Sequence, residues 1–148
     1  MTLQGNEVQF TTQDKITKPA VFMDTGTQNI TRVETTVGFN SEILDGGNNA
    51  ALSGVNYGHI QLTAGGYYRI SYSIPINDDS SSAADRTRVF CFMQTDDNDA
   101  FSSPTTVAQS RSQVYTRENS GGSGLSTSFI YEHTGEDYIR LRIDAQNN

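Results

Sequence analysis

Apolar and polar residues alternate with a period of two along much of this chain, most clearly over residues 65–76. One set comprises Tyr68, Ile70, Tyr72, Ile74 and Ile76, and the other comprises Tyr67, Arg69, Ser71 and Ser73. The alternation predicts a strand with one face in a core and the other in water. Pro75 cannot donate to a β-ladder, so the strand ends there or lies at a sheet edge.

Further strands are predicted between clusters of Gly, Asn, Asp and Ser. They cover residues 20–23, 30–39, 59–63, 88–95, 106–108, 113–117, 125–133 and 138–145. The stretch 88–95 is apolar throughout its middle, which is typical of a strand buried on both faces. About eight to ten strands with no helix between them predict an antiparallel sandwich, barrel or jelly roll.

The chain of 148 residues suits one domain, which we place at residues 19–148. Residues 1–18 are polar and weakly patterned, with Leu3, Val8, Phe10 and Ile16 as their apolar members. They form either an arm that becomes ordered against a partner or a loose terminus.

Composition favours a folded chain that does not bind nucleic acid. Only 18% of the residues are charged, but seven Tyr and seven Phe are spread along the sequence, which is unlike a disordered chain. The net charge is −7 and the ten basic residues are scattered, whereas phosphate binding needs clustered Lys and Arg. The densest basic pairs, Arg86 with Arg88 and Arg140 with Arg142, are better explained as solvated or interface faces.

The residues that most often carry chemistry are few. Cys91, the single cysteine, lies in an apolar run and is predicted to be a buried, inert thiol. His59 and His133 are predicted to be hydrogen-bonded or surface residues rather than metal ligands or bases. The sequence has no nucleophile elbow, zinc-binding, phosphate-loop or paired-cysteine motif, so we expect no enzymatic activity and no cofactor.

One acidic segment is a weak candidate for a calcium site. Asp96, Asp97 and Asp99 bring carboxylate oxygens together, and these are ligands that Ca²⁺ prefers. The spacing is not that of an EF-hand loop, and a solvated loop that discourages edge-to-edge aggregation is the simpler interpretation.

The N-terminal sequence lacks the basic start and apolar run of a signal peptide, and no stretch approaches ~18 continuous apolar residues. We therefore expect a protein made in a cytoplasm, with no membrane partner.

Four segments, taken in order, match a known family. They are Val37-Gly38-Phe39-Asn40, then Tyr57-Gly58-His59-Ile60-Gln61-Leu62, then residues 65–74, and finally residues 134–143, TGEDYIRLRI. In this order they resemble the globular head of the first complement component and its tumour-necrosis-factor-like relatives. The resemblance covers most of residues 39–143. It implies a ten-stranded antiparallel jelly-roll sandwich that forms a compact homotrimer. From their positions in the predicted strands, we take Tyr67, Tyr72 and Tyr138 as candidates for the trimer seam.

Three functions remain open, and we favour the first. It is a virion structural protein: a trimeric decoration, or cement, protein on the capsid surface of a bacteriophage, which binds the major capsid protein through Leu3, Val8 and Phe10. The second is the receptor-binding tip of a phage tail fibre or spike that recognises a host surface glycan. The third, a secreted signalling or lectin-like head, is disfavoured by the missing signal peptide.

Overall fold

The computed structural model describes residues 20–24, 26, 28–30, 33–44, 50–53, 56, 58–63, 65–77, 86–117, 123–135 and 137–147. Throughout these residues the regular elements are β-strands, and every strand pair is antiparallel. The strands are β1 (Val21–Met23), β2 (Thr35–Thr36), β3 (Ser41–Leu44), β4 (Ala50–Leu52), β5 (His59–Leu62), β6 (Gly66–Ile76), β7 (Arg86–Asp96), β8 (Thr105–Arg117), β9 (Ser123–His133) and β10 (Tyr138–Asn147). The predicted all-β, antiparallel fold is confirmed. Within the same residues, no helix is long and apolar enough to span a membrane.

The strands form one large sheet and two small ones. The main sheet has the order β4-β5-β10-β7-β8, and β2 also pairs with β10. The second sheet consists of β6 and β9, and the third of β1 and β3. The core lies between the main sheet and the second sheet. It contains the inward residues Ile139, Leu141, Ile143 and Ala145 of β10 together with Tyr72 and Ile76 of β6.

The long strand β6 follows the alternation of its sequence. Tyr72 and Ile76 are buried, and Tyr67, Arg69, Ser71 and Ser73 are exposed. Pro75 lies opposite Gly124 of β9, one residue before the strand ends. In the described chain β9 is the one strand that pairs with β6, so Pro75 occupies an edge strand, where its missing N–H is tolerated.

Strand β7 is buried on both faces, as its apolar run predicts. One face, with Val89, Cys91 and Met93, belongs to the core, and the other carries Phe90 and Phe92. The two weak strands predicted at 106–108 and 113–117 are a single strand, β8. Its register with β7 shifts between Cys91 and Met93, and this irregularity interrupts the sequence pattern.

The strand predicted over residues 30–39 is much shorter in the structure. In the described part of this stretch Thr35 and Thr36 form β2, and the N–H of Val37 also donates to the carbonyl of Leu141 in β10 (2.8 Å), whereas Val33 is 71% exposed. The side chain of Gln28 binds the flanking backbone: its amide nitrogen donates to the Thr36 carbonyl (2.6 Å), and its amide oxygen accepts from the Gly38 N–H (2.9 Å). The Gln28 side chain thus satisfies two backbone groups at the end of β2.

Candidate functional site

A polar cluster forms around Asp99 in the loop between β7 and β8. The Asp99 carboxylate lies 2.8 Å from Nδ1 of His59 and accepts hydrogen bonds from Ser53 Oγ (2.8 Å) and Asn56 Nδ2 (2.8 Å). The loop after β7 is thereby attached to the loop between β4 and β5. These contacts link residues 40 to 46 positions apart in sequence.

The conformation of Gly58 places His59 in this cluster. Gly58 has a φ of 86°, a region that favours glycine. A Cβ atom there would also collide with the carbonyl oxygen of Val37. Glycine therefore allows the close backbone approach that directs the buried His59 side chain towards Asp99.

The charge of Asp99 follows from these contacts. Partial burial by itself raises the pKa of the Asp99 carboxyl, but the hydrogen bonds from His59, Ser53 and Asn56 outweigh burial and hold the pKa below its usual value. An ionised carboxylate can only accept hydrogen bonds, so Nδ1 of His59 is the donor in their contact. His59 is thus a buried, hydrogen-bonded residue, as its sequence context predicts.

The ring of Phe101 packs against His59 of this cluster. Its ring centroid lies 4.6 Å from that of His59, and the Arg140 guanidinium stacks 4.0 Å from the Phe101 ring. Arg140 in turn donates from Nε (3.0 Å) and Nη2 (2.8 Å) to the side-chain oxygen of Gln94. Phe101 has a φ of 49°, an uncommon conformation for a non-glycine residue, which the packing of its ring holds in place.

Asp96, the first calcium candidate, organises the same loop from its start. Its carboxylate accepts hydrogen bonds from the backbone N–H of Asn98 (3.1 Å) and of Ser103 (2.8 Å) and from the Asn98 side chain (2.7 Å). Desolvation raises the pKa of Asp96, but the hydrogen bonds from the backbone N–H groups of Ser103 and Asn98, together with those involving Asp97, outweigh it and lower the pKa. The carboxylate thus satisfies backbone donors within the turn.

The three calcium candidates therefore have different partners. Asp96 binds the backbone of its own loop, Asp97 is exposed, and Asp99 is directed towards His59. No group of three or more His, Cys, Asp or Glu side chains is arranged to hold a metal ion in the part of the chain that the structure describes. Calcium binding by these residues stays an untested hypothesis.

Tyr72 and Cys91 lie deep in the core. Tyr72 is 9% exposed, and its hydroxyl donates to the carbonyls of Ser110 (2.6 Å) and Cys91 (3.2 Å). Because its own chain covers Tyr72, this residue is removed from the candidates for a trimer seam.

Cys91 is a buried free thiol, as predicted, and burial raises its pKa to about 12.

The other two seam candidates lie on opposite sides of the molecule. Tyr67 is 75% exposed on the outer face of the second sheet, and its hydroxyl bonds to the Glu132 side chain. Tyr138 lies on the outer face of the main sheet, because its neighbour Ile139 points into the core. Their roles in a seam stay predictions. The capsid-contact candidates Leu3, Val8 and Phe10 lie outside the described residues.

The composition of the outer face of the main sheet is not evident from the sequence alone. Register places Phe92 of β7 beside Arg142 of β10, Phe90 beside Asp144, and Arg88 beside Gln146. The guanidinium groups of Arg88 and Arg111 lie 5.4 and 5.1 Å from the centroid of Phe90. We call the four residues Arg88, Arg111, Arg140 and Arg142, with Phe90 and Phe92 between them, the arginine face. The sequence shows the pairs Arg86/Arg88 and Arg140/Arg142, but only the assembled sheet brings Arg88, Arg140 and Arg142 to one face with Arg111.

Comparison with known proteins identifies the fold. No protein-family model matches the sequence, and neither does any curated protein. Among solved structures, murine APRIL at pH 8.0 is similar with a TM-score of 0.56 and 11% identity, covering 87% of this chain and 85% of APRIL. Murine APRIL at pH 5.0 has a TM-score of 0.53 and 10% identity, covering 80% of this chain and 85% of APRIL. APRIL has a tumour-necrosis-factor-family jelly-roll fold, so the fold that the sequence resemblance implied is confirmed: this chain is a tumour-necrosis-factor-like antiparallel jelly roll.

Proposed function

We propose that this chain is a non-enzymatic structural protein of a bacteriophage particle, which decorates the capsid as a homotrimer and stabilises it. One observation carries the proposal: the side chains best suited to chemistry form hydrogen bonds within the protein that stabilise its fold. Asp99 and His59 hold a loop, Asp96 satisfies a turn, and the hydroxyl of Tyr72 joins two strands. Such use of polar groups suits a rigid building block.

The proposed mechanism is mechanical. Trimers occupy threefold positions of the shell, and each copy contacts the major capsid protein through Leu3, Val8 and Phe10 of its N-terminal arm. Three weak contacts on one rigid body raise the overall affinity by orders of magnitude, because the second and third contacts form at a high effective concentration. The jelly-roll fold supports this proposal because it supplies a stiff body from which three arms can extend.

Adding the purified protein to capsids that lack it tests this function. We expect saturable binding in multiples of three and a higher temperature of capsid rupture than for bare capsids. A matched protein with Leu3, Val8 and Phe10 changed to Ser serves as the control. Absence of binding to bare capsids at micromolar concentration would contradict the proposal.

Tyr67 favours a second candidate function, the receptor-binding tip of a tail fibre or spike. Its exposed ring stands beside Glu132, and the same face carries Ser71 and Ser128, whose hydroxyls are hydrogen-bonded at 2.9 Å. An exposed aromatic ring next to hydroxyl groups suits a host surface glycan. Specific binding to host cells that is lost in Tyr67→Ala, without binding to capsids, would favour this function over the first.

A further inference from the structure

Two exposed apolar side chains adjoin on the outer face of the second sheet. Tyr67 of β6 is 75% exposed, and Ile130 of β9 is 58% exposed. Register pairs Tyr67 with Glu132 and Arg69 with Ile130, so Tyr67 and Ile130 are diagonal neighbours across the two strands. We call these four residues the Tyr67 patch. Single exposed apolar side chains are ordinary on a protein surface, whereas adjoining ones mark a candidate interaction site.

The ring of Tyr67 has a fixed direction on this face. Its hydroxyl bonds to the side chain of Glu132, which lies directly opposite on β9. Strands β6 and β9 pair without a register shift along all 11 residues of β6, so the backbone beneath the ring is regular. A ligand that stacks on Tyr67 therefore meets a preorganised surface, and little conformational freedom is lost on binding.

The patch also has a hydrogen-bond donor and an acceptor beside the ring. Arg69 and Glu132 are diagonal neighbours of opposite charge, but they form no ion pair with each other in the described structure. Arg69 donates from Nε to Ser128 Oγ (3.3 Å), and Glu132 accepts from the hydroxyl of Tyr67. A guanidinium has further N–H groups and a carboxylate has further lone pairs, so both side chains retain bonding capacity for a ligand.

A sugar ring matches this combination of apolar and polar groups. One face of a pyranose presents C–H groups, which are attracted to the negatively polarised face of an aromatic ring. Its edges present hydroxyl groups, which accept hydrogen bonds from a guanidinium and donate them to a carboxylate. The apolar pair and the charged pair of the Tyr67 patch therefore each have a counterpart on a single hexose.

A protein partner fits the patch less well. A stable protein–protein interface buries about 800 Å² on each side and is centred on several large side chains. Next to the patch, the face continues with small, exposed serines, which are Ser71, Ser73, Ser126 and Ser128. Two apolar side chains flanked by serines suit a ligand of the size of a sugar, and the hydroxyl groups extend the surface along a chain of sugars.

The charge around the patch favours an uncharged sugar. Glu132 lies directly opposite Tyr67, so a ring stacked on Tyr67 has this carboxylate at its side. The whole chain carries a net charge of −7. A sulfate or carboxylate group on the sugar is therefore repelled both locally and at long range. Arg69 attracts such a group, but one guanidinium does not offset both effects.

We propose that the Tyr67 patch binds an uncharged hexose of a glycan chain. The two apolar side chains contact the C–H face of the sugar ring, and the two charged side chains bond to its hydroxyl groups. The inference rests on the second candidate function, in which this face recognises a glycan, and it names the class of sugar and the residues that bind it. Tyr67 then lies outside any trimer seam.

Saturation-transfer-difference NMR of the full chain with soluble oligosaccharides tests the proposal. The probes are uncharged oligosaccharides of galactose, glucose and mannose, each compared with its sulfated form. We expect at least one uncharged probe to bind with a millimolar dissociation constant and to receive saturation at its C–H protons. At low salt, the sulfated form of that probe should bind at least about threefold more weakly.

Variants of the patch give the controls. Tyr67→Ala should weaken binding about tenfold, whereas Tyr67→Phe, which keeps the ring, should stay within about threefold of the wild type. Tyr115→Ala removes a tyrosine that is 51% exposed on the main sheet, and as the matched control it should bind like the wild type. Ile130→Ser, which should also weaken binding about tenfold, is a second variant in case Tyr67→Ala does not fold.

Two results would overturn the proposal. One is the absence of binding by every uncharged probe at about 20 mM, which is the result expected of a patch that docks a protein instead. The other is an affinity equal to that of the wild type in both Tyr67→Ala and Ile130→Ser.

Failure of the inference and failure of the proposed functions give different results. Binding of the sulfated probes alone overturns the class of sugar and leaves glycan recognition standing. An uncharged probe that binds through Tyr67, without specific binding of the protein to host cells, supports the inference and contradicts the receptor function. Capsid attachment is tested separately, because its proposed contacts lie in the N-terminal arm and Tyr67→Ala should retain it.

Discussion

Asp99 has an unusual density of contacts for an acidic loop residue. It bonds to His59, Ser53 and Asn56, and it anchors the loop whose Phe101 ring packs on His59. Sequence analysis identified Asp99 only as a possible calcium ligand. Its role in the fold could not be predicted, because His59 lies 40 residues away in sequence and meets Asp99 only through tertiary packing.

Removing this carboxylate should destabilise the protein. We expect Asp99→Ala to lower the free energy of unfolding by about 2 kcal/mol, because it removes the carboxylate that accepts hydrogen bonds from His59, Ser53 and Asn56. Urea denaturation followed by circular dichroism measures the difference. Asp97→Ala, at an exposed neighbouring carboxylate, is the control and should change stability by less than about 0.5 kcal/mol. Equal effects of the two substitutions would contradict the special role of Asp99.

The lowered pKa of Asp99 predicts an acid-dependent loss of stability. Its pKa is lower in the folded than in the unfolded state, so the unfolded chain takes up the proton first as pH falls. The contribution of Asp99 is therefore present above the unfolded value of about 3.9 and is lost as pH falls through the lower folded value. We expect the stability difference between the wild type and Asp99→Asn to shrink below about pH 4. A difference that stays constant from pH 6 to pH 2 would rule this out.

The thiol of Cys91 should be unreactive in the folded protein. Burial raises its pKa to about 12 and excludes reagents from a side chain with no exposed surface. We expect no reaction with a disulfide reagent at pH 8 under native conditions and one reactive thiol per chain in guanidinium chloride. Labelling of the native protein at the rate of a free thiol would show that the core opens.

At the scale of strands, the irregularity between β7 and β8 depends on one serine. Where the register shifts, the buried hydroxyl of Ser110 accepts a hydrogen bond from the N–H of Met93 (2.7 Å) and donates to the carbonyl of Val107 (2.5 Å). The carbonyl of Ser110 also accepts from Tyr72 (2.6 Å). A serine side chain thus replaces the ladder partner that the shifted register removes.

We expect Ser110→Ala to lower the free energy of unfolding by about 2 kcal/mol, because the buried N–H of Met93 loses its acceptor. Ser112→Ala is the matched control on the same strand. Its hydroxyl donates to the Ser126 carbonyl near the surface (3.1 Å), so the loss should be less than about 1 kcal/mol. Thermal unfolding of both variants compares them, and a neutral Ser110→Ala would refute this account of the irregularity.

At the scale of the whole molecule, the two sheets present contrasting outer faces. The main sheet carries the arginine face, whereas the second sheet carries Tyr67, Glu132 and several serines. The two faces therefore differ in the residues that each can offer to a partner.

The N-terminal arm provides the prediction at this scale. We expect deletion of residues 2–12 to leave the trimer intact and to abolish its attachment to capsids, because the arm carries the proposed capsid contacts Leu3, Val8 and Phe10. Sedimentation velocity and co-pelleting with capsids measure the two properties separately. A truncated trimer that still decorates capsids would show that the arm is not the contact.

The sequence by itself determined the strand content and the direction of each side chain in the long strands. Alternation is a local property, so it places Tyr72 and Ile76 inward and Tyr67 outward without knowledge of any neighbouring strand. The order of the segments 37–40, 57–62, 65–74 and 134–143 also indicated the family of the fold. Only the tertiary structure decided which outward residues share a face, because register sets that and one chain segment does not encode it. For this reason Asp99 with His59, and the four arginines around Phe90 and Phe92, appear only once the sheets are assembled.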